Sequence, residues 1–276
     1  MKHSRKTFLQ LLGAGAIASG ASIFPVNSAK AAKPDHALTL GLASYSLRNY
    51  SLDQTIDIAA RLGLTHLALK SMHMPLSSTA EELGYFARKV RDKGITLYGA
   101  GVIYMKNENE VNNAFQYGKE AGLEVIIGVP NHDLLPLVNE KVKETGIKLA
   151  IHNHGPGDDV YPSPESVYEK VKNLDPRIGL CIDIGHTIRI GLDPATEIKR
   201  FADRLYDMHF KDVDKAQPEG ATVEIGRGVI DIPGIVKTLK KIKYSGVVAL
   251  EYENDADDAI PGLAESVGYV RGILAK

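Results

Sequence analysis

The chain has 276 residues, 44% of them hydrophobic, with 33 basic against 34 acidic residues and a formal net charge of −1. That balance excludes the basic surface needed to bind nucleic acid or an anionic membrane. One cysteine, Cys181, excludes an intrachain disulfide and a cysteine-built zinc cluster.

In chain order, residues 1–31 come first and read as an export signal. Lys2, His3, Arg5 and Lys6 form a basic start, "FLQLLGAGAIASGASIF" is apolar and rich in small residues, and Ala29 and Ala31 suit a cleavage site. "SRKTFLQ" resembles a twin-arginine signal with Lys6 in place of the second arginine. The apolar stretch is short for a membrane span. The expectation is an exported or periplasmic protein with no stable membrane association once the signal is cleaved.

Residues 36–276 read as one catalytic domain. Short apolar strands are expected at 38–44, 66–70, 95–101, 124–129, 147–154, 178–183, 205–211 and 246–253. Amphipathic helical stretches lie between them, most opening on an acid or hydroxyl residue and several closing on glycine. Eight β-α units predict a parallel sheet closed into a (β/α)8 TIM barrel. The rival open sheet would show a glycine-rich phosphate loop after its first strand. "GLASYSLRNY" has none.

Side chains alternate along a strand. In "IKLAIHNH", Ile147, Leu149 and Ile151 face the helices, so Lys148, Ala150, His152 and His154 face inward. The same parity turns Gly179, Cys181 and Asp183 inward on the sixth strand, and Val247, Ala249, Glu251 and Glu253 inward on the eighth. On the seventh, His209 and Lys211 share a parity. Four consecutive strands thus place His152, Asp183, His209 and Glu251 near the C-terminal end, where barrel active sites sit. Two imidazoles and two carboxylates converging on one point suit a divalent cation: Mn, Zn, Co, Fe or Mg. His154 has the parity of His152, and Glu253 that of Glu251, so either could replace its neighbour as ligand.

"IHNHG", "DIGH", "MHFKD" and "LEYE", in that order on those strands, resemble the sugar phosphate isomerase/epimerase family of the xylose-isomerase-like barrel superfamily. The resemblance covers the chain after the signal. It implies that Asp183, His209 and Glu251 bind metal and that His186 contacts substrate oxygens. It also implies that the loop 224–233 closes over the site. Epimerases of this family usually carry Glu where this chain has His152, so the paired glutamates that move a proton between substrate faces are not both present. An isomerase, or an elimination or hydration, needs less symmetry.

The expectation is therefore a metal-dependent sugar isomerase or epimerase acting through an enediolate on a non-phosphorylated sugar or keto-sugar. The alternative is a lyase or hydratase acting on 3-keto-glycosides at the same metal site. Glu251, His152, His186 and Lys211 are the candidate catalytic residues. Tyr45, Lys70, His73, His154, His186, Arg227 and Glu253 are the candidate substrate contacts, with Tyr104 a further stacking platform. Arg227 lies between two glycines that suit a lid. Lys211 either steadies a developing oxyanion or pairs with Asp212. The partner is a small sugar. Two rivals are a non-catalytic sugar-binding protein and a DNA-repair nuclease of the endonuclease IV type, the second opposed by the neutral charge.

Overall fold

The computed structural model describes residues 37–275. The expected export segment lies outside them. Eight parallel strands form a closed barrel: β1 (Thr39–Ala43), β2 (His66–Leu69), β3 (Thr96–Met105), β4 (Val125–Pro130), β5 (Lys148–His152), β6 (Ile178–Asp183), β7 (Leu205–Phe210) and β8 (Val247–Leu250). Neighbours in sequence are neighbours in the sheet, and β8 closes on β1 with Leu42 opposite Leu250. The (β/α)8 expectation is met.

Helices cover the outside: α1 (Leu52–Arg61), α2 (Ala80–Asp92), α3 (Glu108–Ala121), α4 (Leu135–Thr145), α5 (Pro164–Val171), α6 (Ile184–Arg189), α7 (Pro194–Arg200), α8 (Ile232–Ile242) and α9 (Ala259–Leu274). Their starts follow cap chemistry. Ser51 and Gln54 form a reciprocal capping box on α1, and Thr79 and Glu82 do the same on α2. Gly122 and Gly146 end α3 and α4 in the left-handed conformation. No helix among the described residues is long and apolar enough to cross a membrane.

Strand parity sorts the core into two layers. Leu149, Ile151, Leu180, Ile182, Val248 and Leu250 pack outward against the helices. Ala43, Ala68, Ala150, Cys181 and Ala249 fill the interior with Tyr98, Val125, Ile127 and Val247. The small inner residues leave room for large polar side chains at the C-terminal mouth, and this positions the site.

Two local features depart from the expected elements. β3 runs on to Met105 through an irregular register between Ala100 and Ile103, because buried Ile103 and Met105 resume the pairing with β4 beyond the glycines. A short helix, α6, follows β6 directly, with Asp183 itself as N-cap.

Candidate metal centre and substrate pocket

The four expected ligands meet. One donor atom from each of His152, Asp183, His209 and Glu251 lies within 4.8 Å of the others, and all four residues are buried. Donors bound to one ion at roughly 2.0–2.5 Å can be no more than about 4–5 Å apart, so the spacing fits a single cation. His209 Nδ1 is 3.1 Å from both His152 Nε2 and Glu251 Oε2. His152 Nε2 is 3.4 Å from Asp183 Oδ2. That oxygen is fully buried, with the His152 ring and the Lys211 ammonium as its polar neighbours, a setting that a divalent cation would complete. His154 and Glu253 stand just outside the cluster, partly exposed, on the pocket wall.

The electrostatics agree with this division. Burial pushes the His152 imidazole well below its ordinary range, against the pull of Asp183. The neutral ring keeps the lone pair that a metal needs. Burial also opposes ionisation of Asp183, yet the charges around it, with Lys211 the permanent cation, hold its carboxyl well below the usual range. Lys211 is 1% exposed, with Nζ 2.9 Å from Asp183 Oδ2 and 2.7 Å from Glu251 Oε2, and it pairs as well with Glu253 Oε1. Burial disfavours its charge, but the three carboxylates raise its pKa well above the ordinary value. Three buried or half-buried carboxylates around one ammonium leave negative charge in excess, which a divalent ion offsets.

Local sequence explains the positions. The Asp183 side chain accepts from the His186 N–H at 2.8 Å, so one carboxylate oxygen caps α6 while the other faces the cluster. Gly185 of "DIGH" lies against the Lys211 stem: a Cβ there would meet Lys211 Cγ at 2.4 Å. Asn153, between the two histidines of "HNH", accepts from the Asp183 N–H at 3.1 Å and donates to Thr187, tying the end of β5 to that of β6.

Above the cluster lies a pocket of about 260 Å³ lined by Tyr45, Lys70, Val102, Tyr104, His152, His154, His186, Glu251 and Glu253. Lys70 lies over the Tyr45 ring at 5.2 Å. Tyr104 stacks on His154 and its hydroxyl is 2.9 Å from His154 Nε2. Burial pushes the His186 imidazole down to about 4, with Asp183 opposing. Burial also raises the Glu253 carboxyl, although Lys211 opposes the shift.

The structure engages the groups of four expectations elsewhere. His73 lies below the pocket, 4% exposed, its ring spent on Ser44 Oγ, Thr55 Oγ1 and the Tyr50 carbonyl. Arg227 points away from the site and grips Glu265 of α9 with two bonds of 2.6 Å. The loop 224–233 contributes nothing to the pocket lining, because Asp212 anchors it. Asp212 does not pair with Lys211. Its carboxylate accepts from the backbone of Val213, Gly226, Gly228 and Ile230. Gly228 is needed for that approach, since a Cβ there would meet Asp212 Oδ1 at 2.2 Å.

Sequence reasoning missed Asp207, although it shares the parity of His209. Fully buried beneath the cluster, it accepts from the Tyr98 hydroxyl at 3.0 Å and lies 3.8 Å from His209 Nε2. Burial pushes its carboxyl up to about 6.

A polar centre at the C-terminal mouth of an eight-stranded parallel barrel defines the class, and the comparisons agree: residues 133–273 match the family described as xylose isomerase-like TIM barrel, and the chain belongs to that family. Among individual proteins, it is 30% identical over 145 residues to the rhizopine catabolism protein MocC of Rhizobium meliloti, covering 47% of this chain and 44% of that one. It is 28% identical over 143 residues to an inosose dehydratase of Lacticaseibacillus casei, covering 46% and 47%. The matched segment thus spans about half the length of these curated relatives. Among solved structures, the IolI protein with a bound zinc atom superposes with a TM-score of 0.72 at 17% identity, covering 86% of this chain and 98% of that one.

Proposed function

We propose that the protein is a divalent-metal-dependent enzyme that removes the proton beside a carbonyl of a sugar or keto-sugar and expels the oxygen substituent one carbon further on. That is a lyase, or in reverse a hydratase. The observation that carries the reading is the asymmetry of the pocket. His186, a neutral imidazole, lines it together with the Glu253 carboxyl, which the buried Lys211 ammonium pairs with. Relatives matched over about half their length include a dehydratase, and they support the choice.

A cation held by His152, Asp183, His209 and Glu251 would supply Lewis acidity to a substrate carbonyl and its neighbouring hydroxyl. His186 takes the proton as general base, the C–H electron pair becomes a C=C bond, and the C–O bond breaks. Glu253, whose carboxyl burial raises against the pull of Lys211, is the group placed to deliver a proton to the departing oxygen. Lys211 stays charged beside it and steadies the negative charge in transit. Tyr45 and Tyr104 flank the ring, and Lys70 and His154 hold its hydroxyls.

An isomerase or epimerase is the second reading. Glu251 favours it, since its carboxylate lines the pocket at the cluster and would carry a proton between adjacent carbons with no leaving group. The test is a product assay on 3-keto-glycosides and free ketoses, run in deuterium oxide with metal-loaded protein. The lyase reading expects an unsaturated keto product. Rapid epimerisation of ketoses with no elimination overturns it in favour of the second reading. The proposed export of the protein suits a non-phosphorylated substrate in either case.

A further inference from the structure

The pocket above the cluster has a neighbour. A second cavity of about 330 Å³ runs along β3 and α3, lined by Leu76, Ile103, Tyr104, Lys106, Glu110, Asn113 and Ala114. Tyr104 lines both cavities, so the two adjoin at this residue. One side of this residue is engaged by His154. Even so, Tyr104 is 47% exposed, and Leu76 beside the second cavity is 45% exposed.

The second cavity combines an apolar wall with unspent polar groups. Ile103 and Ala114 are buried behind it, and Leu76 and Tyr104 form its open sides. Among the described residues, neither the Lys106 ammonium nor the Asn113 amide has a hydrogen-bond or ion-pair partner. Glu110, also in the lining, is already engaged: its carboxylate accepts from the Lys106 N–H at 2.6 Å and from Asn107 Nδ2 at 3.0 Å. The site therefore offers an aromatic and aliphatic face, one cationic donor, and one amide that both donates and accepts.

We propose that this cavity is a subsite for a second sugar ring, so that the substrate is a two-ring glycoside. The inference rests on the carbohydrate reading above and narrows it: the second ring is the alcohol portion that leaves. Pockets for small molecules span about 300–1,000 Å³, and the second cavity, at about 330 Å³, has room for one more ring. A pyranose presents an apolar C–H face to a tyrosine ring and hydroxyls at its rim, matching the Tyr104 and Leu76 surfaces and the Lys106 and Asn113 heads. A wholly apolar occupant would strip water from those two polar groups and give nothing back. A multiply charged anion would meet a single ammonium with the Glu110 carboxylate close by.

The experiment is saturation-transfer NMR on the full-length protein loaded with zinc. The probes are cellobiose, maltose, trehalose and sucrose, with glucose as the one-ring control. Binding is read ring by ring. At least one disaccharide should show saturation on the protons of both rings. Asn113→Trp, at an exposed helix position, should cut the signal of the second ring at least twofold relative to the first. Lys106→Met should lower it in the same ring. Saturation confined to one ring in every disaccharide, no saturation at all, or an unchanged second-ring signal in Asn113→Trp overturns the subsite. Because binding rather than turnover is read, the two readings fail separately. Protein that turns over no keto-sugar yet holds both rings loses the reaction and keeps the subsite. Protein that eliminates from a one-ring substrate yet never holds a second ring loses the subsite alone.

Discussion

The two halves of the barrel mouth differ in chemistry. Strands β5 to β8 end in ionisable residues packed into one cluster: His152, Asp183, His209 and, one residue past β8, Glu251. The ends of β1 to β3 contribute Tyr45, Lys70, Val102 and Tyr104, which touch the pocket but not the cluster. The half that matches the family is the half that carries the cluster. Under the proposed function, the groups that do the chemistry come from the second half of the chain, and the first half supplies part of the substrate contacts. The same geometry predicts that substitutions in the second half abolish chemistry, and that those in the first half change which sugar is accepted.

The largest effect should come from Asp183→Ala. It removes a ligand, the counter-charge of Lys211 and the cap of α6 together. Turnover should fall by about 10³-fold or more, because Lewis-acid stabilisation contributes several kcal/mol. A steady-state assay on whichever 3-keto-glycoside or ketose the product assay shows to be turned over checks this.

Lys211→Met comes next and addresses stability. Removing the ammonium leaves Asp183, Glu251 and Glu253 facing one another with no cation on the protein. Breaking a buried ion pair costs about 3–5 kcal/mol. Urea unfolding of metal-free protein should show a loss of that order, and added metal should recover part of it. A loss below about 1 kcal/mol would mean that the three carboxylates do not depend on Lys211.

His186→Gln should lower turnover by about 10²–10⁴-fold, the usual contribution of a general base, while metal content holds. Equal loss of metal and activity would make His186 a support of the cluster instead of the base.

Asp207→Asn should have the smallest effect, with a distinct pH signature. The folded carboxyl is raised to about 6 from an ordinary value of 3.8. Its stabilising protonation is fully present below about pH 4 and is lost as pH rises through about 6. At pH 7 the ionised, buried group therefore costs roughly 3 kcal/mol, an upper figure because Tyr98 still donates to it. The variant should be more stable than wild type at pH 7, and the gain should vanish at pH 4. A gain that does not vary with pH would point to packing as its cause.

Much of the second half was legible in the sequence for one reason. Where a strand is apolar on one parity and polar on the other, direction follows from spacing, and Ala150, Cys181 and Ala249 do line the interior beneath the ligands. Parity also held the signal for Asp207, but a carboxylate below the ligand layer has no motif to draw attention to it. Loop residues were less legible. His73 and Arg227 carry chemistry-bearing side chains, yet which way a loop turns them depends on distant partners such as Ser44 and Glu265. Asp212 was misread because its partners are backbone N–H groups made available by the fold of a loop ten or more residues away. The extension of β3 that brings Tyr104 to both cavities was hidden because Gly99 and Gly101 interrupt the alternation.

Metal stoichiometry tests the centre of this account most directly. Elemental analysis of purified protein, dialysed against each of Mn, Zn, Co, Fe and Mg in turn, should give about one tightly held ion per chain with at least one of them. Asp183→Ala and His209→Ala should lose it, and Arg227→Ala, whose guanidinium sits on Glu265, should keep it. No stoichiometric ion under any loading, or an Asp183→Ala protein that retains as much as wild type, would contradict the assignment of His152, Asp183, His209 and Glu251 as a metal centre.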